Sequence, residues 1–231
     1  MTRILMVLSA ADRWTRADGS IYASGVWAEE FVALDEALVK AGFQVDIATP
    51  GGVAPTIDAR SLDPEIAGQD GTAHFRNYLA RNAARLQRPL VLAEVDPSVF
   101  DAVVIPGGHG PVEDLWKDAD MGRILVGADA ARMLIASVCH GPAALLAASE
   151  ENGRWPFAGR RMTAFSDEEE IEFGTADNAP WLLADTLRSR GAAYEKGPNW
   201  GPYIVRDGNL ITGQNPASSV ALAEAVIAAL R

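Results

Sequence analysis

Apolar positions along this chain follow two patterns. Four short runs are apolar almost throughout: Arg3–Ser9, Gln44–Thr49, Asp101–Ile105 and Met133–Val138. Unbroken runs of this length read as strands buried on both faces. Between them the apolar residues recur at helical spacing. The clearest case is Gly25–Ala41, where Trp27, Phe31, Leu34, Leu38 and Ala41 form one stripe and Gly42 ends the helix. Further helices are predicted over Ala73–Gln87, Met121–Ala131, Pro142–Ala148, Pro180–Arg190 and Pro216–Leu230. Arg161–Phe165 reads as another strand, and Tyr203–Arg206 and Leu210–Thr212 as a pair around Asp207-Gly208-Asn209. Residues 10–24 and 53–72 read as loops, the first long enough to be a functional one.

Strands that alternate with helices, and are apolar rather than alternating, predict an α/β fold. Its sheet is mostly parallel and flanked by helices on both faces. With no repeat and no linker-like tract, residues 1–231 are expected to form one domain. In such sheets ligands bind beyond the carboxyl ends of the strands.

Composition narrows the function. The chain has 231 residues, 48% hydrophobic and 22% charged, which excludes disordered, collagen-like and coiled-coil chains. A net charge of −11 repels phosphate backbones and anionic lipids, so neither nucleic acid nor membrane is an expected partner. Cys139 is the single cysteine, so no internal disulfide forms. The first eight residues are too short an apolar run for a signal peptide, and a cytoplasmic protein is expected.

The chemistry concentrates at Ala136-Ser137-Val138-Cys139-His140-Gly141-Pro142-Ala143. An apolar strand runs into a helix with cysteine at the join, a nucleophile elbow with sulfur in place of oxygen. The helix start is expected to favour the thiolate, and free backbone N–H groups there suit an oxyanion. The alternative is a buried structural cysteine. His140 is either a base or orienting group for the thiol, or a neighbour in sequence alone.

A thiol that attacks a carbonyl needs a proton donor or acceptor beside it. On the first helix Glu30 falls about 60° from Trp27, on the shoulder of the buried stripe, and Glu29 about 160° away toward solvent. Glu30 is therefore the carboxylate aimed inward, with a raised pKa expected. A rim carboxylate paired with a cation is the competing reading. Pro106-Gly107-Gly108-His109-Gly110 is either an oxyanion-binding turn or a plain one. The acidic run Ser166–Glu172 reads as a solvated face from which one carboxylate orients His140. His74, His109 and His140 lack metal-ligand spacing, so neither a metal nor a cofactor is expected. Trp14, Trp155 and Trp200 wall a pocket or fill the core.

Taken together, Gly25-Val26-Trp27-Ala28-Glu29-Glu30, Pro106–Gly110, Val138–Ala143 and Thr212-Gly213-Gln214-Asn215-Pro216-Ala217-Ser218 resemble the ThiJ/PfpI superfamily from end to end. The Cys-His-Gly-Pro and Asn-Pro-Ala-Ser segments look most like its heat-shock chaperone and glyoxalase III branch. The resemblance implies a flavodoxin-like, class I glutamine amidotransferase-like fold. It implies Cys139 as nucleophile, Glu30 as acid/base, His140 as catalytic histidine, and Gly108 and the His140 N–H as oxyanion hole. It places the residue that orients His140 at Glu170, with Glu169 the competitor in so dense a run. The activity implied is a glutathione-independent glyoxalase that converts methylglyoxal and related 2-oxoaldehydes to 2-hydroxy acids, with a homodimer as the expected assembly. A cysteine hydrolase of peptidase, amidase or deglycase type is the alternative enzyme. A holding chaperone or thiol stress sensor is the alternative outside enzymes.

Overall fold

A computed structural model describes residues 1–231. Strands run over Arg3–Val7 (β1), Arg13–Thr15 (β2), Ile21–Ala23 (β3), Gln44–Thr49 (β4), Leu90–Val91 (β5), Ala102–Ile105 (β6), Leu134–Val138 (β7), Arg161–Met162 (β8), Ala193–Tyr194 (β9), Ile204–Asp207 (β10) and Leu210–Gly213 (β11). Helices span Ala28–Lys40 (α1), Pro64–Arg81 (α2), Ala83–Leu86 (α3), Gly110–Glu113 (α4), Ala119–Ala130 (α5), Asp167–Phe173 (α6), Leu183–Ser189 (α7) and Ser219–Leu230 (α8). Seven strands form one sheet in the order β10-β11-β7-β6-β1-β4-β5. Every pairing in it is parallel except β10 with β11. This is the α/β architecture expected.

The apolar strands are buried on both faces because each face carries its own core. Successive side chains point to opposite faces, so Leu5 and Val7 join one cluster while Ile4 and Met6 join the other. The first cluster lies under α5 and the second under α1 and α8. The doubly covered sheet leaves the carboxyl ends of β1, β6 and β7 as the place where loops converge. No helix is long and apolar enough to cross a membrane.

Several expected elements differ. Residues 10–24 hold the β2–β3 hairpin, whose residues pair Arg13 with Ala23 and Thr15 with Ile21. Residues 53–72 are loop only in part. Asp63 caps α2 through the Glu65 N–H, with Pro64 in the first turn, so the helix starts nine residues before Ala73. That helix stops at Arg81, where the Asn82 side chain donates to the Tyr78 carbonyl and α3 follows. The strand expected over Arg161–Phe165 ends at Met162, because the Thr163 N–H donates to the Thr212 hydroxyl and the Phe165 N–H to the Cys139 carbonyl. After Cys139 the chain forms a 3₁₀ segment, Gly141–Ala147, rather than an α-helix. The last two predicted helices also begin later, α7 at Leu183 and α8 at Ser219, the latter after a 3₁₀ turn over Pro216–Ser218. The acidic run is the capped helix α6: Glu168 and Glu172 form the solvated face expected, whereas Glu169 and Glu170 are buried.

Candidate active site

The chain turns sharply at the end of β7. Cys139 adopts φ 60°, a left-handed conformation rare for a residue with a side chain. Two backbone hydrogen bonds hold it there: Cys139 N–H to the Gly213 carbonyl at 3.0 Å, and Phe165 N–H to the Cys139 carbonyl at 2.9 Å. The thiol is thereby fixed above the sheet, 4% exposed.

Glu30 comes from the first turn of α1 and is wholly buried. The structure places it deeper than the shoulder position its helical angle implies. Its Oε2 accepts the Gly107 N–H at 2.5 Å, while Oε1 is buried without a hydrogen-bond partner. No cation pairs with it, which removes the rim ion pair. Burial, opposed by the Gly107 N–H and the thiol, raises its pKa to about 8. Glu29, expected in solvent, is half-buried, and burial raises its pKa too.

The thiol does not behave as the elbow alone suggested. Burial, and then the charge of Glu30, push the Cys139 pKa well up, against backbone N–H groups of Gly108 and His140 directed at the sulfur. Two buried acids so close compete for a single negative charge. Burial and the neighbouring carboxylate charge therefore outweigh the backbone N–H groups that would favour a thiolate.

Pro106-Gly107-Gly108 follows β6. A Cβ on Gly107 would come within 2.7 Å of the His140 nitrogen and 2.9 Å of Glu30 Oε2. Gly108 has φ +85°, and a Cβ there would lie 2.2 Å from the Gly25 carbonyl oxygen. Only glycine lets this turn approach both α1 and the cysteine elbow.

On the other side of the sulfur, His140 Nδ1 lies 3.3 Å from Cys139 Sγ and Nε2 lies 2.5 Å from Glu170 Oε1. A chain of thiol, imidazole and carboxylate results. Glu170 is 4% exposed. Burial alone would raise its pKa, but the charge of His140 and hydrogen bonds from both histidines win, and the net shift is downward. The Thr175 hydroxyl donates to Glu170 Oε2. Glu169 is committed elsewhere: it completes the capping box with Ser166, and its Oε1 accepts the Trp200 N–H and the Asn215 amide, both at 2.8 Å.

His109 was not among the residues expected here. Its ring stacks on Trp14 at 4.7 Å and lies tilted against His140 at 4.2 Å, and Nε2 lies 3.4 Å from Glu170 Oε2. Burial, then repulsion by His140, lowers its pKa. Ligand atoms of His109, His140 and Glu170 lie within 4.8 Å of one another, so these three have the reach to hold a cation. Sequence spacing hides this, because the fold joins the ends of β6 and β7.

The thiol opens into a pocket of about 280 Å³ lined by Trp27, Phe165, Phe173, Trp200 and Pro216 besides the polar groups. Trp200 thus walls the pocket, and Trp155 is core. Trp14 is core too, with one face on His109.

The sequence profile of the DJ-1/PfpI family matches residues 21–229. The chain belongs to that family. It is 27% identical to glyoxalase 3 of Candida albicans, over 99% of this chain and 98% of the relative. It is 28% identical to the protein/nucleic acid deglycase HchA of Pseudomonas aeruginosa, over 94% and 77%. A solved structure of glyoxalase III from Candida albicans superimposes on this DJ-1/PfpI protein with a TM-score of 0.85 at 26% identity, covering 99% of this chain and 97% of the other.

Proposed function

We propose that this DJ-1/PfpI protein is a glutathione-independent glyoxalase that turns 2-oxoaldehydes such as methylglyoxal into 2-hydroxy acids. The observation that carries the reading is a buried thiol with a high-pKa carboxyl on one side and an imidazole–carboxylate pair on the other. The Cys139 sulfur adds to the aldehyde carbon, and the proton lost from the thiol reaches the new hydroxyl. Glu30, once ionised, takes the C1 proton of the hemithioacetal, giving an enediol, and returns a proton to C2. The aldehyde carbon is oxidised and the ketone carbon reduced within one molecule, so the balance needs no external redox partner. Water then cleaves the resulting thioester, releasing the acid and the thiol. The Gly108 and His140 N–H groups, directed at the sulfur before reaction, serve as donors to the adjacent oxygen as it gains charge, and Glu170 orients His140. A carboxyl with a pKa of about 8 suits repeated proton transfer near neutral pH better than an ordinary glutamate.

The similarity to glyoxalase 3 supports this assignment. The similarity to HchA supports a second one on the same residues, hydrolytic release of a glycation adduct, with His140 beside the sulfur as base. A cytoplasmic homodimer completes the proposal, and light scattering tests its assembly.

The test is lactate formation from methylglyoxal without glutathione, with wild type beside Cys139→Ala. Turnover by wild type alone is expected. No turnover by a folded wild-type protein removes the glyoxalase reading, and repair of a glycated thiol or amine under the same conditions would put deglycation in its place.

A further inference from the structure

Beside the active-site pocket lie two arginines, Arg16 and Arg60, that form no salt bridge. Arg60 follows the capped turn after Asp58, and its guanidinium lies 4.0 Å over the ring of Phe173, a pocket residue. It also donates to the Tyr22 hydroxyl. Arg16, at the tip of the β2–β3 hairpin, lies 4.7 Å over the ring of the same Tyr22. Tyr22 in turn meets His109 edge-on at 5.9 Å. The two arginines are therefore one aromatic ring removed from the site.

Neither arginine pairs with a carboxylate, in a chain that has 31 of them. The nearest acid in sequence, Asp58, is buried and already committed: one oxygen accepts the Arg60 backbone N–H and the other the Ser24 hydroxyl, each at 2.9 Å. Asp18 is held chiefly by Ser20, whose N–H it accepts, and the charge of Arg16 is the least of the influences on it. Both arginines are half-buried, and burial, followed by the charge of Arg16, makes Arg60 easier to deprotonate than an exposed guanidinium. Two partly desolvated like charges are unfavourable until an anion joins them.

Their positions are built. The hairpin tip is tied down by the Ala17 N–H on the Asn178 carbonyl and the Asp18 N–H on the Asn178 side chain. Glu172, next to Phe173 on α6, is likewise committed: it accepts hydrogen bonds from Trp200 Nε1 at 2.5 Å and Asn199 at 2.9 Å.

We propose that Arg16 and Arg60 form a subsite for a carboxylate at the end of the substrate remote from its reacting carbonyl, so that the preferred substrates are anionic 2-oxoaldehydes. The substrate half of this proposal rests on the glyoxalase reading; the subsite itself does not.

The experiment has two arms. The first compares initial rates on 4,5-dioxopentanoate, which carries a carboxylate, and 2-oxopentanal, which has the same chain length and no charge. Wild type is expected to favour the anion by about tenfold or more in kcat/KM, mainly through KM, as befits a charged hydrogen bond. Arg16→Gln and Arg60→Gln should bring the ratio toward one, the larger loss falling on 4,5-dioxopentanoate. The second arm measures calorimetric binding of 2-hydroxyglutarate and 2-hydroxypentanoate to Cys139→Ala, with and without the arginine substitutions. Arginine-dependent preference for the dicarboxylate supports the subsite even where no aldehyde is turned over, an outcome that would overturn the glyoxalase reading alone. Equal affinity for the two acids, or a preference that survives both substitutions, overturns the subsite.

Discussion

Glu30→Gln separates proton chemistry from packing. Glutamine keeps an oxygen for the Gly107 N–H and nearly the same volume, but it never ionises. In the wild type the folded-state pKa of Glu30 is about 8 against an ordinary 4.5. Between those values the unfolded chain has lost the proton and the folded chain retains it. Stability from this carboxyl is complete below 4.5 and is lost as pH rises toward 8, by about 1.4 kcal/mol per unit. The full interval amounts to about 5 kcal/mol. Urea unfolding at pH 5.5 and 7.5 samples two units of it, so wild type should lose about 2.7 kcal/mol relative to Glu30→Gln over that span. Comparing the two proteins cancels the opposite trend of His109, whose lowered pKa makes the fold gain stability as pH rises toward 6.5. In the same variant kcat/KM for methylglyoxal should fall at least ~10²-fold with the fold intact. Parallel stability profiles for the two proteins would refute the raised pKa, and near-normal turnover would remove Glu30 from the reaction.

Gly108→Ala should destabilise the fold by at least about 2 kcal/mol and abolish turnover, since its Cβ would meet the Gly25 carbonyl at 2.2 Å in a left-handed backbone; denaturant titration and the lactate assay check both. Activity should survive a chelator and be inhibited by micromolar zinc, because a cation held by His109, His140 and Glu170 breaks the His140–Glu170 hydrogen bond. His109→Asn should weaken that inhibition, and activation by zinc would contradict the proposed role of Glu170.

What could be read beforehand was local. The Cys-His-Gly-Pro turn announced an elbow, and helical angle alone separated Glu30 from Glu29. Glu170 could have been chosen over Glu169 on capping grounds: Ser166-x-x-Glu169 is a capping box, and the third residue of a box is spent on the helix start. Asp63-Pro64 likewise marked the start of α2, but Gly68, at φ 72°, and Gly71 blur the periodicity there. His109 carried no such signal. Its proximity to His140 depends on β6 lying beside β7, a pairing between residues more than thirty apart. The depth of Glu30 and the high proton affinity of Cys139 were also hidden, because they depend on three segments closing over one another.

The two clamps on Cys139 both lie later in the chain, at Phe165 and Gly213. A ribosome therefore releases the elbow long before it can deliver what bends it. While β7 is already free to join β6, nothing yet holds the cysteine at its positive φ, and the chain there is free to relax. The bend is fully enforced once Phe165 is in place and β11 has paired with β7. The site's most demanding backbone geometry is thus imposed from segments far downstream of the residue that bears it.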